Sequence, residues 1–157
     1  MDYIIEASNL RKEFGSIIAV DDISFNVPRG ECFGILGPNG AGKTSTVRMI
    51  YGFSPMTGGS LRVFGLDMPR SLREIKSRIG VCQQENSLDP DLTVEQNLMV
   101  FSRYFDMPKK MAAEKTEKQL KFIALDHRRD AMVTELSGGM MRRLVIARAL
   151  INDPELL

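Results

Sequence analysis

Gly37-Pro38-Asn39-Gly40-Ala41-Gly42-Lys43-Thr44 is the stretch on which the reading of this chain turns. It fits the pattern G-x-x-x-x-G-K-[ST], and the spacing has a physical reason. Glycines let the backbone take positive φ and bring consecutive N–H groups against phosphate oxygens with no Cβ in the way. A helix starting near Lys43 adds its positive end. Lys43 is then placed to reach the β- and γ-phosphates of a nucleotide, and the Thr44 hydroxyl to ligate Mg²⁺. The bland alternative is a glycine-rich turn that binds nothing. Context favours the cradle, because the stretch lies between an apolar strand and a helix.

Upstream, Glu31–Leu36 (ECFGIL) is a short apolar run, as expected of a strand buried on both faces. Before it, Ile4–Phe14 and Ile17–Val27 are β-prone runs separated by Gly15-Ser16 and closed by the turn signal Pro28-Arg29-Gly30. Downstream, Lys43–Tyr51 is compatible with a helix, Thr57–Ser60 with a turn, and Leu61–Phe64 with a further strand. Ser71-Leu72-Arg73-Glu74 fits a capping box, and Arg78–Cys82 is strand-like. From Asp91 the character becomes helical. Thr93-Val94-Glu95-Gln96 is a second capping box, followed by apolar residues at Leu98, Phe101 and Phe105. A helix is expected over Lys109–Leu125 and another after Ser137, with Leu144, Ala147, Arg148 and Ile151 at helical spacing. Asp153-Pro154 closes it, and Glu155-Leu156-Leu157 looks like the start of another strand.

Bulk properties set limits. The chain has 157 residues, 43% hydrophobic and 26% charged, with seven prolines, ordinary values for a globular domain with a real core. A net charge of +1, from 21 basic and 20 acidic residues, gives no reason to expect nucleic acid as a partner. Cys32 and Cys82 each lie in an apolar run and read as buried free thiols in a reducing compartment. No apolar stretch approaches the roughly 20 residues that span a bilayer. The start, Met1-Asp2-Tyr3-Ile4-Ile5-Glu6, lacks the basic and apolar regions of a signal peptide. A cytoplasmic protein is expected, held at a membrane only by a partner.

A second motif, Leu136-Ser137-Gly138-Gly139-Met140, is weak alone, where Ser137 reads as a helix cap. In order, however, a phosphate loop, a glutamine after a strand and LSGG opening a helix resemble the ATPase subunits of ABC transporters. The resemblance runs over the whole chain. It implies an α/β fold: a P-loop NTPase ATPase core with an N-terminal antiparallel β subdomain and a helical subdomain. Residues 1–84 would be the β-rich and P-loop core, 85–135 the helical subdomain, and 136–157 the signature loop and helix.

The resemblance also implies roles. Phe14, in Lys12-Glu13-Phe14-Gly15, matches the aromatic that stacks on adenine, its alternative being a strand-end core residue. Gly37, Pro38, Asn39, Gly40, Ala41, Gly42, Lys43 and Thr44 match the Walker A loop, and Ser45 the hydroxyl near the α-phosphate. Gln84 matches the glutamine that senses Mg²⁺ and the attacking water, in preference to Gln83, where the family often has proline. Ser137, Gly138 and Gly139 match the signature that contacts the γ-phosphate of ATP held by a second ATPase subunit, a homodimer partner or a paired subunit. A transmembrane permease subunit would be met by the segment around Gln84–Leu98, placing the protein on the cytoplasmic face of the membrane. Met140 departs from the usual glutamine; with Met141-Arg142-Arg143 it resembles the subgroup of drug, lipid-linked and nodulation-factor exporters, and Asn86-Ser87-Leu88-Asp89-Pro90 leans the same way.

In that family the Mg²⁺-holding carboxylate, the catalytic glutamate and the switch histidine follow the signature helix, on and after a strand that would start near Leu157. The expectation is therefore a chain truncated before the Walker B strand, its core sheet lacking the later strands. Such a chain would bind nucleotide, and its parent would hydrolyse it. Phe122-Ile123-Ala124-Leu125-Asp126 imitates a Walker B strand, but it precedes the signature and continues the apolar side of the Lys109 helix. His127 likewise precedes the signature and reads as an exposed turn residue. The competing functional readings are a non-transport ABC ATPase, disfavoured by the short insert between Gln84 and Leu136, and an inactive nucleotide-binding fragment.

Overall fold

The computed structural model describes residues 2–85 and 87–157. The chain divides into two units, Met1–Lys76 and Ser77–Leu157.

The first unit is built on the β-hairpin that the two upstream runs predict. Strands β1 (Tyr3–Phe14) and β2 (Ile17–Pro28) pair antiparallel, from Tyr3 opposite Pro28 to Phe14 opposite Ile17. Alternation sends Ile5, Ala7 and Leu10 of β1 and Val20 and Val27 of β2 into the core. Strand β3 (Gly58–Val63) pairs with the other edge of β1, and β4 (Leu66–Asp67) closes the sheet, giving the order β2-β1-β3-β4. Gly58, Gly59 and Ser60 are thus strand residues, where the glycines suggest a turn. Helices α1 (Lys43–Ile50) and α2 (Leu72–Ser77) contribute Met49 and Ile75 to this core.

Glu31–Leu36 does not form the buried strand expected of it. It carries no strand or helix, Leu36 is 93% exposed, and Cys32 is an exposed free thiol rather than a buried one. The physical reason is that apolar residues confer only a tendency to be buried between other strands. No described strand pairs with this segment through ladder hydrogen bonds, although Phe33 stacks on Phe25 of β2 with ring centroids 5.6 Å apart.

The second unit is helical, comprising α3 (Val94–Ser102), α4 (Lys109–Phe122) and α5 (Gly138–Ala149) with short 3-10 turns between them. The Thr93 capping box has both legs: the Gln96 amide donates to Thr93 Oγ1 at 3.2 Å, and the Thr93 amide to Gln96 Oε1 at 2.9 Å. Leu98, Leu120, Leu125, Leu144 and Ala147 meet in one core. Helix α4 ends at Phe122, before the predicted Leu125, because Ala124 turns to φ +53° and Leu125 folds back into the core. The Walker B look-alike is therefore a helix end and turn, with Phe122 70% exposed and Ala124 outside the core. Helix α5 likewise stops at Ala149, four residues short of Asp153.

Arg78–Cys82 forms a single parallel bridge, Ile79 opposite Leu156, rather than a strand. The Gly80 amide donates to Leu156 O at 2.8 Å and the Glu155 amide to Arg78 O at 2.9 Å. Glu155–Leu157, expected to begin a strand, therefore contributes only this one bridge, at Leu156. Cys82 is a half-buried free thiol.

Leu120 is fully buried and Leu36 almost bare, so the two leucines give opposite expectations. Leu120→Ala is expected to cost about 2–5 kcal/mol through the lost transfer energy and the cavity it leaves. Leu36→Ala should stay within about 0.5 kcal/mol of the parent. Urea melts of the two variants measure both values.

Candidate nucleotide site

In the first unit the Gly37–Thr44 loop leads into α1 on one side, while the residues before it lie outside any strand. Gly42 is the N-cap in the left-handed conformation, φ +79°, and no side chain caps the helix. A carbon at its Cβ position would lie 2.2 Å from Ala19 O and 3.1 Å from Val20 Cγ2 of β2. The loop therefore needs glycine there twice over, for its dihedral and for the close approach of backbone to backbone. The Thr46 amide and hydroxyl donate to Gly42 O at 2.8 and 3.0 Å, closing the first helical turn. The amides ahead of them face a helix end with no protein side chain to accept from them.

Lys43 Nζ folds back over the loop and donates to Gly37 O and Pro38 O, both at 2.7 Å. Its ammonium is thus held at the mouth of the loop on two neutral carbonyls. Asn39, Gly40, Ala41 and Thr44 are exposed and Ser45 half-buried. This arrangement fits a polyphosphate: uncapped amides, a positive helix end, one cation and two hydroxyls without competing anions. Thr44 Oγ1 and Ser45 Oγ are the oxygens available to a cation bound with the phosphates.

Phe14 ends β1 in the same unit and is 51% exposed, which its alternative as a core residue does not fit. Its ring is approached by Lys12 Nζ at 4.7 Å from the centroid. Lys12 is opposite Val20, the residue that contacts Gly42, so the aromatic strand end and the base of the loop share a neighbour.

In the second unit Ser137 caps α5, accepting from the Met140 amide at 3.3 Å, and Gly138 and Gly139 form its exposed first turn. Gln84 is exposed in a bend. Beside it, Arg142 of α5 donates to Gln83 O at 2.6 Å, and Arg148 of α5 donates to both Ser87 O and Ser87 Oγ. Arg148 also stacks over Phe101, 4.8 Å from the ring centroid. Burial pulls its guanidinium below the ordinary pKa, with Cys82 and Tyr104 acting the other way. Arg143 secures the end of α4 through Ile123 O at 2.8 Å. The structure therefore brings the glutamine bend and the signature helix together, a link that sequence reading misses. Of the exporter-like stretch at 86–90, Asn86 lies outside the described residues. His127 is 67% exposed at its side chain, as its charged surroundings suggest.

The model of the family described as "ABC transporter" matches residues 20–157. The chain belongs to that family. Its sequence is 48% identical over 153 residues to the Nod factor export ATP-binding protein I of Paraburkholderia xenovorans (strain LB400), covering 98% of this chain and 50% of that protein. It is 46% identical over 157 residues to the protein of the same name from Cupriavidus metallidurans, covering 100% and 52%. The chain thus spans about half the length of these curated relatives. Among solved structures, cbiO1 from Clostridium perfringens, described as part of the ABC transporter complex cbiONQ, superposes with a TM-score of 0.85 at 24% identity, over 98% of this chain and 63% of that one. An "ATP binding subunit of ABC transporter" gives 0.84 at 22%, over 96% and 63%. These likenesses place the fold in the ABC ATPase class, with its antiparallel β-sheet and helical part. No helix among the described residues is long and apolar enough to cross a membrane.

Proposed function

We propose that this chain is the nucleotide-binding part of an ABC transporter ATPase subunit that holds MgATP at Gly37–Thr44 and drives export through a separate transmembrane permease. The observation that carries the reading is the loop itself: Gly42 at φ +79° opening an uncapped helix, with Lys43 Nζ at its mouth. Consecutive backbone amides and a helix N-terminus fit phosphate oxygens, and the lysine leaves neutral carbonyls for charged ones. Thr44 supplies an oxygen to Mg²⁺, Ser45 lies by the α-phosphate, and Phe14 takes the adenine ring. Gln84 senses the metal and the attacking water. Ser137, Gly138 and Gly139 serve ATP held by a second ATPase subunit, so that the working unit is a dimer at the cytoplasmic face. Export is supported by the likeness to Nod factor export ATP-binding proteins, which are about twice the length covered here.

The division of labour gives a sharp expectation for hydrolysis. Lys43 and Gln84 assist the transfer, but phosphoryl transfer also needs a carboxylate near Mg²⁺ and a group that orients the water. On this reading none of the 157 residues is assigned either role. The isolated chain should bind MgATP measurably in a calorimetric titration, while phosphate release stays at the level of the enzyme-free control. Steady Mg²⁺-dependent turnover by these residues alone would refute this assignment of roles, and failure to bind MgATP would refute the site.

A further inference from the structure

Lys12 is a lysine where lysine is costly. It is only 6% exposed, in the interior of the β1–β2 hairpin, although lysines are almost never fully buried without a partner. Its charge is met in two ways. Nζ donates to Pro55 O at 2.6 Å, and it sits 4.7 Å from the centroid of the Phe14 ring. No ion pair to Lys12 is present among the described residues. Packing alone would be served by methionine or leucine at no desolvation cost. The cation therefore needs a reason connected with what it touches.

The strand end it belongs to is held independently. The Thr57 amide donates to Arg11 O at 2.9 Å, the Thr57 hydroxyl to the same oxygen at 3.2 Å, and that hydroxyl accepts from the Glu13 amide at 3.0 Å. Thr57 thus grips the backbone on either side of Lys12. What the ammonium adds is a fixed contact to the Phe14 ring, which is otherwise half exposed at the end of its strand. A cation over one face of an aromatic ring restrains the ring and closes that face. Half of the residue remains accessible, so the ring keeps surface away from the ammonium for a ligand.

We propose that Lys12 is a positioning residue for the nucleotide base: anchored on Pro55 O, it holds the Phe14 ring so that its accessible surface receives adenine. The proposal rests on the reading of Phe14 and Gly37–Thr44 as an adenine-nucleotide site. It predicts that Lys12 affects the base and leaves the phosphates alone.

The test compares MgATP with Mg²⁺-tripolyphosphate, which has the phosphates and no base, by calorimetry on the whole chain. Lys12→Met keeps the length and removes the charge, and Lys12→Arg keeps the cation. Lys12→Met is expected to weaken ATP about five- to tenfold, part of what a base–aromatic stack contributes. Tripolyphosphate affinity should remain within about twofold, and Lys12→Arg should recover most of the ATP affinity. In a Phe14→Ala background Lys12→Met should have no further effect on ATP. Equal losses for both ligands, or multiplying losses in the double variant, would overturn the proposal by making Lys12 a structural residue. If Lys12→Met does not fold, the Lys12→Arg and Lys12→Gln pair replaces it, with the same contrast required between the two ligands. A Phe14→Ala protein that binds ATP like the parent overturns both this proposal and the adenine reading. A parent that binds neither ligand removes the phosphate site itself, and the proposal with it.

Discussion

Lys43→Ala is expected to lower MgATP affinity by about two orders of magnitude while leaving the thermal melt of the unliganded chain nearly unchanged. The Lys43 ammonium donates to Gly37 O and Pro38 O. Both acceptors lie in an exposed loop, so water replaces the lysine there at little cost. Against phosphate the balance differs. A charge-assisted hydrogen bond contributes about 1.5–3 kcal/mol, and each 1.4 kcal/mol is tenfold in affinity. Two bonds to the β- and γ-phosphates, less the carbonyl contacts given up, account for about 100-fold. Lys43→Arg should recover only part of it, since the longer planar group cannot take the same point position. Titration calorimetry decides: retention of ATP affinity within about threefold in Lys43→Ala would mean that the lysine does not meet the phosphates.

Gly42→Ala is expected to destabilise the first unit far more than a methyl group added at an open glycine. The left-handed conformation costs a non-glycine residue about 1–2 kcal/mol. The new Cβ would in addition sit 2.2 Å from Ala19 O and 3.1 Å from Val20 Cγ2. A main-chain oxygen in a hairpin cannot rotate away, so either the strand or the helix start must move, at a further cost of about 1–3 kcal/mol. The sum, about 2–5 kcal/mol, is a large part of the stability of a small domain. Gly40→Ala separates the two causes. Gly40 also has positive φ, +84°, yet nothing lies within 4 Å of its Cβ position, so it should lose only the conformational part. Denaturant melts of the two variants should differ by at least about 1 kcal/mol. Equal losses would mean that the contact with β2 relaxes freely.

Local signals were legible in the sequence and collective ones were not. The glycine turn that opens α1 at Lys43, the hairpin turning at Gly15-Ser16 and the capping box at Thr93 and Gln96 are each specified by residues near one another in sequence, and all three form. Glu31–Leu36 has the right composition for a buried strand and forms none, because strand formation is settled by neighbours that composition does not supply. Lys12 gives no warning of its burial, since a lysine in a β run ordinarily points to solvent. The arginines of α5 are unreadable for a different reason. Arg142 bonds a residue 59 positions earlier and Arg148 one 61 positions earlier, and no local pattern encodes such distances. The family likeness locates Ser137 and Gln84 in the sequence, yet it contains nothing about which side chains hold their backbones in place.

Those two arginines have a mechanical consequence. They stand six residues apart on one helix, about 9 Å along its axis, and they grip the bend at Gln83 and again at Ser87. One attachment would act as a pivot, about which the bend could swing while the helix stayed put. Two attachments at different heights act as a bracket. A tilt or slide of α5 is then felt at Gln83 and at Ser87 together, on both sides of the glutamine.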